Sequence, residues 1–176
     1  MPSKPRLERR DEQPYVGIRT RMSMGELAGG AGDSLFPEVF AWLGARGLAP
    51  QGAPFIRYLV IDMDAALEMD WGVPVGEVPP TRQGDDRVRP GVLPAGRYAT
   101  AVHTGPYGGD GLIHANAALQ DWAKEQGVAF QVRQGEHGEV WGSRLERYLS
   151  NPAEEPDPEA WRTELAYLVA EEPATG

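Results

Sequence analysis

The chain has 176 residues, 41% of them hydrophobic, with five tryptophans and no cysteine, so it can fill one folded core and cannot use disulfides, thiolate chemistry or zinc–thiolate sites. A formal net charge of −9 sets an acidic surface that repels phosphate backbones, which excludes nucleic acid as a direct partner. No apolar run reaches the roughly 20 residues of a membrane span, and the charges of residues 1–10 are not followed by the apolar stretch of a secretory signal, so a cytoplasmic protein is expected.

Residues 1–14 read as a flexible tail ahead of one domain over residues 15–170. Residues 15–24 are rich in β-formers and predict a strand. Ser34 is the expected N-cap of a helix in which Leu35, Phe36, Val39, Phe40 and Leu43 recur at helical spacing, with Gly47 ending it. Strands follow over 55–62 and 67–75. Residues 76–91, with Pro79, Pro80, Asp85, Asp86 and Arg87, read as an exposed linker. A strand is then expected over 98–104. Leu112, Ala115, Leu119, Trp122 and Ala123 form a helical stripe that stops at Gly127, and two more strands cover 141–149 and 161–170.

The second half repeats the first. At an offset of about 80, Thr20, Gly25, Trp42, Gly47 and Ala49 match Thr100, Gly105, Trp122, Gly127 and Ala129. Further on, Arg57-Tyr58-Leu59 matches Arg147-Tyr148-Leu149, and Asp70 lies over Glu164. The matches keep their order, as a duplicated β-α-β-β unit over about 15–75 and 92–170 would require. The expected fold is α+β: a pseudo-twofold pair of units with antiparallel sheets, helices on the outer face and a groove on the face left free.

Glu164 stands out as a carboxylate in a strand of otherwise aliphatic and aromatic character. It can offset a cation, act as a general acid or base, or pair with an arginine such as Arg57, Arg144 or Arg162. Asp70 is its counterpart, expected to approach it across the twofold axis. Trp71, Tyr98, Trp141 and Tyr148 are candidates for an aromatic box, and Tyr107, in a Gly-Pro-Tyr-Gly-Gly turn, for a ring at the groove mouth. Tyr167 points away from Glu164 by strand parity and reads as core, as do Trp42 and Trp122 on their helical stripes. In 141–149, parity sets Trp141 and Leu145 against Arg144, Glu146 and Tyr148 without saying which set lines the groove. His103, His114 and His137 lack metal-ligand spacing, so no metal or cofactor is expected.

The repeat, with Leu93-Pro94-Ala95-Gly96-Arg97-Tyr98, His103-Thr104-Gly105-Pro106-Tyr107, Glu146-Arg147-Tyr148-Leu149 and Trp161-x-Thr163-Glu164-Leu165, resembles the GyrI-like small-molecule-binding family over about residues 15–169. This is the effector-binding fold of bacterial multidrug-responsive transcription activators. The resemblance implies a central groove for amphipathic, aromatic or cationic compounds, with Glu164 matching the glutamate at its floor. Residues 1–14 are too few for the helix-turn-helix of those activators, so a stand-alone sensing or sequestering protein is expected. Some relatives are hydrolases that open cyclopropane rings of alkylating natural products; here Glu164 would act on water and Tyr107 would polarise the substrate. A third reading is a module that docks on a protein partner.

Overall fold

Strand formation follows from alternation. In Gln13–Met22 (β2), Val16, Ile18 and Met22 join the main core while Tyr15 points to the opposite face of the sheet. The computed structural model describes residues 3–80 and 86–170. Its strands are Arg6–Arg10 (β1), β2, Phe55–Ile61 (β3), Leu67–Pro74 (β4), Val88–Leu93 (β5), Gly96–Thr104 (β6), Val132–Gly135 (β7), Gly138–Trp141 (β8), Arg144–Tyr148 (β9) and Arg162–Leu168 (β10). They form one sheet in the order β1-β6-β10-β9-β3-β4-β2-β5, with the β7–β8 hairpin attached to β3.

The helices are Met24–Ala28 (α1), Leu35–Ala45 (α2) and Asp110–Glu125 (α3). Apolar stripes decide where the longer two lie. Leu35, Val39 and Leu43 of α2, and Leu112, Ala115 and Leu119 of α3, share one core on the same face of the sheet. α2 packs on β2 and β4, and α3 on β6, so the central pair β3–β9 lies between them in sheet order. The helix-free face holds a smaller cluster that includes Tyr15, Phe55, Tyr98 and Leu145.

Several expectations change. The supposed tail forms β1, which pairs with β6 from Arg6↔Thr100 to Arg10↔Gly96. Its alternating charges hide it from a hydropathy reading, and an edge strand tolerates them because one side meets water. The linker ends in β5, which pairs with β2, while Thr81–Asp85 lie outside the described residues. The expected separate sheets are one continuous sheet. Ser34 makes no side-chain cap bond; the capping box is at α1, where the Ser23 hydroxyl accepts from the Glu26 N–H and the Glu26 carboxylate accepts from the Ser23 N–H. Gly47 and Gly127 both end their helices at positive φ, 66° and 69°, where a glycine costs least. Tyr167 is fully buried, whereas Trp42 and Trp122 are only partly buried against the core.

Candidate functional site

The central strand β9 gathers the polar chemistry. The expected strand 141–149 is broken at Gly142–Ser143: Arg57 of β3 faces Leu145 of β9, but Val60 of β3 faces Val140 of β8, so three steps on one side oppose five on the other. Trp141 and Leu145, four residues apart, lie in clusters on opposite faces, so the alternation changes phase at this break, and β3 makes a matching change at its bulge between Tyr58 and Val60. Trp141 therefore joins Tyr148 in the helix-side packing, where simple parity put them on opposite faces. Leu145 faces the helix-free side; Arg144, Glu146 and Tyr148 face the helices.

Glu146 is 9% exposed. Its strand neighbours are Ile56 of β3 and Leu165 of β10, both buried apolar residues. The Tyr148 hydroxyl donates to its carboxylate at 3.3 Å, and Tyr58 and Asn116 also hydrogen-bond to it. Burial pushes the Glu146 carboxyl above its ordinary value, only partly opposed by these bonds and by the nearby Arg144 charge. Burial and the Glu146 charge in turn push the Tyr58 and Tyr148 hydroxyls well above 10, which keeps both as donors. Asn116 is held in place by α3: its amide donates to Leu112 O at 2.8 Å and its oxygen accepts from the Tyr167 hydroxyl.

A row of rings continues from Tyr148. Trp71 meets Phe36 at 5.2 Å, Phe36 meets Tyr148 at 5.9 Å, Tyr148 meets Tyr107 at 4.9 Å, and Tyr107 meets Trp161 at 4.8 Å between centroids. The row joins the start of α2 to the loop before α3. The two loops are fitted to it: a Cβ on Gly32 would fall 2.2 Å from the Trp71 ring. The Tyr107 hydroxyl donates to Ser150 O and accepts from Ser150 N at 2.9 Å, so it braces the row instead of pointing at an open space.

The sequence candidates divide between the two faces. Trp71, Trp141, Tyr148 and Tyr107 lie on the helix side. Tyr98 lies on the other face, its hydroxyl bonded to Pro94 O at 2.7 Å, so the sheet separates it from the proposed box. Glu164 also faces the helix-free side. It is paired with Arg10 at 2.9 Å and Arg147 at 3.2 Å, neither of them an arginine expected from the sequence. Asp70 is held by Arg19 at 2.9 Å and by the Tyr15 hydroxyl at 2.5 Å. Asp70 and Glu164 are three strands apart in the sheet, not a coupled pair across an axis. A cavity of about 280 Å3 opens on this face, with Phe55, Leu145 and Tyr98 as floor and Arg10 and Arg147 at its wall.

Sequence reasoning passed over Glu146, Phe36 and Trp161. A signal for Glu146 was present: the likeness of Arg57-Tyr58-Leu59 to Arg147-Tyr148-Leu149 aligns it with Ile56, a carboxylate against a core residue. Among the described residues no group of three or more His, Asp or Glu side chains could hold a metal ion, and no helix is long and apolar enough to cross a membrane.

The same fold occurs in EcmrR. The crystal structure of its C-terminal domain superposes with a TM-score of 0.70 at 18% identity, covering 96% of this chain and 98% of that one. In the EcmrR–DNA complex the TM-score is 0.75, and the present chain spans 58% of the EcmrR chain's length. SAV2435 bound to tetraphenylphosphonium matches with a TM-score of 0.62 at 11% identity, over 95% of this chain and 94% of that one. A hydrolase from Listeria innocua matches with a TM-score of 0.60 at 17% identity, over 95% and 92%. No curated protein matches in sequence. Residues 3–169 match the GyrI-like small molecule binding domain, and the chain belongs to that family.

Proposed function

We propose that the protein binds amphipathic aromatic small molecules, lipophilic cations among them, in the cytoplasm, on the helix side of the sheet over β9 and β3. The observation that carries this reading is a buried carboxylate, Glu146, directly beside the ring row from Trp71 to Trp161. Rings supply stacking and cation–π contact, and a carboxylate shielded from water attracts a cation more strongly than an exposed one. That SAV2435 has been solved with tetraphenylphosphonium supports a lipophilic cation as the probe. The strand order, which runs through β6-β10-β9 and β3-β4-β2 as two like triplets, supports a duplicated β-α-β-β unit with the site at the junction.

The reading moves the working carboxylate from Glu164 to Glu146, because Glu164 is already balanced by two guanidiniums. Tryptophan fluorescence titration with tetraphenylphosphonium tests it. Glu146→Gln is expected to weaken binding about tenfold or more, the loss of one close charge pair, and Glu164→Gln by less than about threefold. The reverse order would restore the Glu164 reading.

A second reading, hydrolysis, is favoured by the raised Glu146 carboxyl beside two protonated tyrosines. Glu146 would take a proton from water as its oxygen attacks a strained ring carbon, while Tyr58 or Tyr148 donates to the atom whose bond to that carbon breaks. Mass spectrometry of a cyclopropanoid electrophile incubated with the protein should show a gain of one water. An unchanged compound after hours would remove this reading.

A further inference from the structure

Next to Glu146 along β9, the helix side already holds a cation. The Arg144 guanidinium lies 4.7 Å from the Trp141 ring centroid, 4.7 Å from Tyr167 and 5.9 Å from Tyr58. These rings are 6%, 0% and 8% exposed, while Arg144 itself is half-buried. The geometry of this cage is set by the strands. Tyr167 of β10 is the direct partner of Arg144, and the Gly142–Ser143 break brings Trp141 round to the same side. Among the described residues no carboxylate lies within ion-pair distance of Arg144, and its buried Nε has no hydrogen-bond partner. The charge is held by ring faces, by a hydrogen bond to the Tyr167 hydroxyl and by Glu146 two residues on, roughly 7 Å away along a strand.

We infer that Arg144 is a resident cation that offsets Glu146 from within and biases the helix-side site towards neutral or zwitterionic aromatic ligands over permanent cations. The inference rests on the helix-side site proposed above. Arg144 touches no ligand in this account; it acts through Glu146. A lipophilic cation seated against the ring row at Tyr148 shares the carboxylate with Arg144 and meets its repulsion. A neutral ring compound meets only the aromatic surface.

The test is titration of the full chain at pH 8 with two probes of like shape, tetraphenylphosphonium and neutral triphenylphosphine oxide. Arg144→Met is expected to tighten the phosphonium about tenfold, from removal of one charge at short range, and to shift the oxide less than about threefold. Arg144→Lys, which keeps the charge, should stay within about threefold of the parent for both, and guards against a packing effect. Equal shifts for both probes, or unchanged phosphonium affinity in Arg144→Met, would overturn the inference. Loss of phosphonium binding in Glu146→Gln alongside an unresponsive Arg144→Met would sink the Arg144 role alone. Absence of binding by either probe to every variant would remove the underlying site as well.

Discussion

Burying a carboxylate costs several kcal/mol unless other groups replace water, and Glu146 has three such groups, Tyr58, Tyr148 and Asn116. They do not fully compensate, since its carboxyl stays above the ordinary value of 4.5. A carboxyl raised in this way favours the fold while protonated, and that support is lost as pH rises through its folded value. Because the burial cost of the carboxylate outweighs its attraction to Arg144, Glu146→Gln is expected to raise the thermal midpoint at pH 7–8 by roughly 2–4 °C, the shift that about 1 kcal/mol gives in a chain of this size. The gain should fade as pH falls towards 4.5. Melting curves at several pH values read this, and a lower midpoint for the variant at pH 8 would count against it. For Glu164 the expected effect of neutralisation on stability is a loss. Its side chain is 16% exposed and sits between Arg10 and Arg147, so Glu164→Gln leaves two guanidiniums facing each other and should cost about 1 kcal/mol by denaturant unfolding. A neutral effect would show that the pair is no more than a surface contact.

The elements depend on close backbone approach at few positions. In β2, a Cβ at Gly17 would stand 2.7 Å from Trp71 O and 3.2 Å from Gly72 Cα, both on the paired β4 backbone. Gly17→Ala must push β2 and β4 apart and should cost ~1–3 kcal/mol. In α2, Gly44 is exposed and a Cβ there meets nothing within 4 Å, so Gly44→Ala should stabilise by ~0.5–1 kcal/mol through helix propensity. Equilibrium unfolding of the two variants compares them directly, and similar effects would mean that the strand contact relaxes freely. Elements with strong alternation or helical stripes, such as β2, β4, α2 and α3, were legible to within about two residues. β1 and β5 were not, because they are edge strands whose charges and Pro90 suit water and not a core. The break at Gly142–Ser143 was invisible because it shows only in the pairing with β3 and in the opposite faces that Trp141 and Leu145 take. It was also the step that decided which aromatics share a face with Glu146.

At the scale of the molecule, one sheet separates two populations of charge. On the helix-free side Glu164 and Asp70 are tied to arginines, Asp70 being itself buried at 6% exposure with the Tyr15 hydroxyl as a second partner. On the helix side Glu146 is dry, bounded by Arg144 in its ring cage and by Tyr148 in the aromatic row. The family was readable from sequence, and a groove was expected on the face without helices. The helices cover β2 and β4 on one side and β6 on the other, the ring row lies between them, and the cavity of about 280 Å3 opens on the opposite face. The acid that stood out in the sequence belongs to the ion-paired face, and the buried acid without a direct ion pair looked like one member of an alternating strand. A co-crystal structure with tetraphenylphosphonium tests the assignment most directly. The phosphonium is expected on the helix side within about 6 Å of the Tyr148 ring and beside the Glu146 carboxylate; a phosphonium lodged on the helix-free face, in the cavity walled by Arg10 and Arg147, would contradict it.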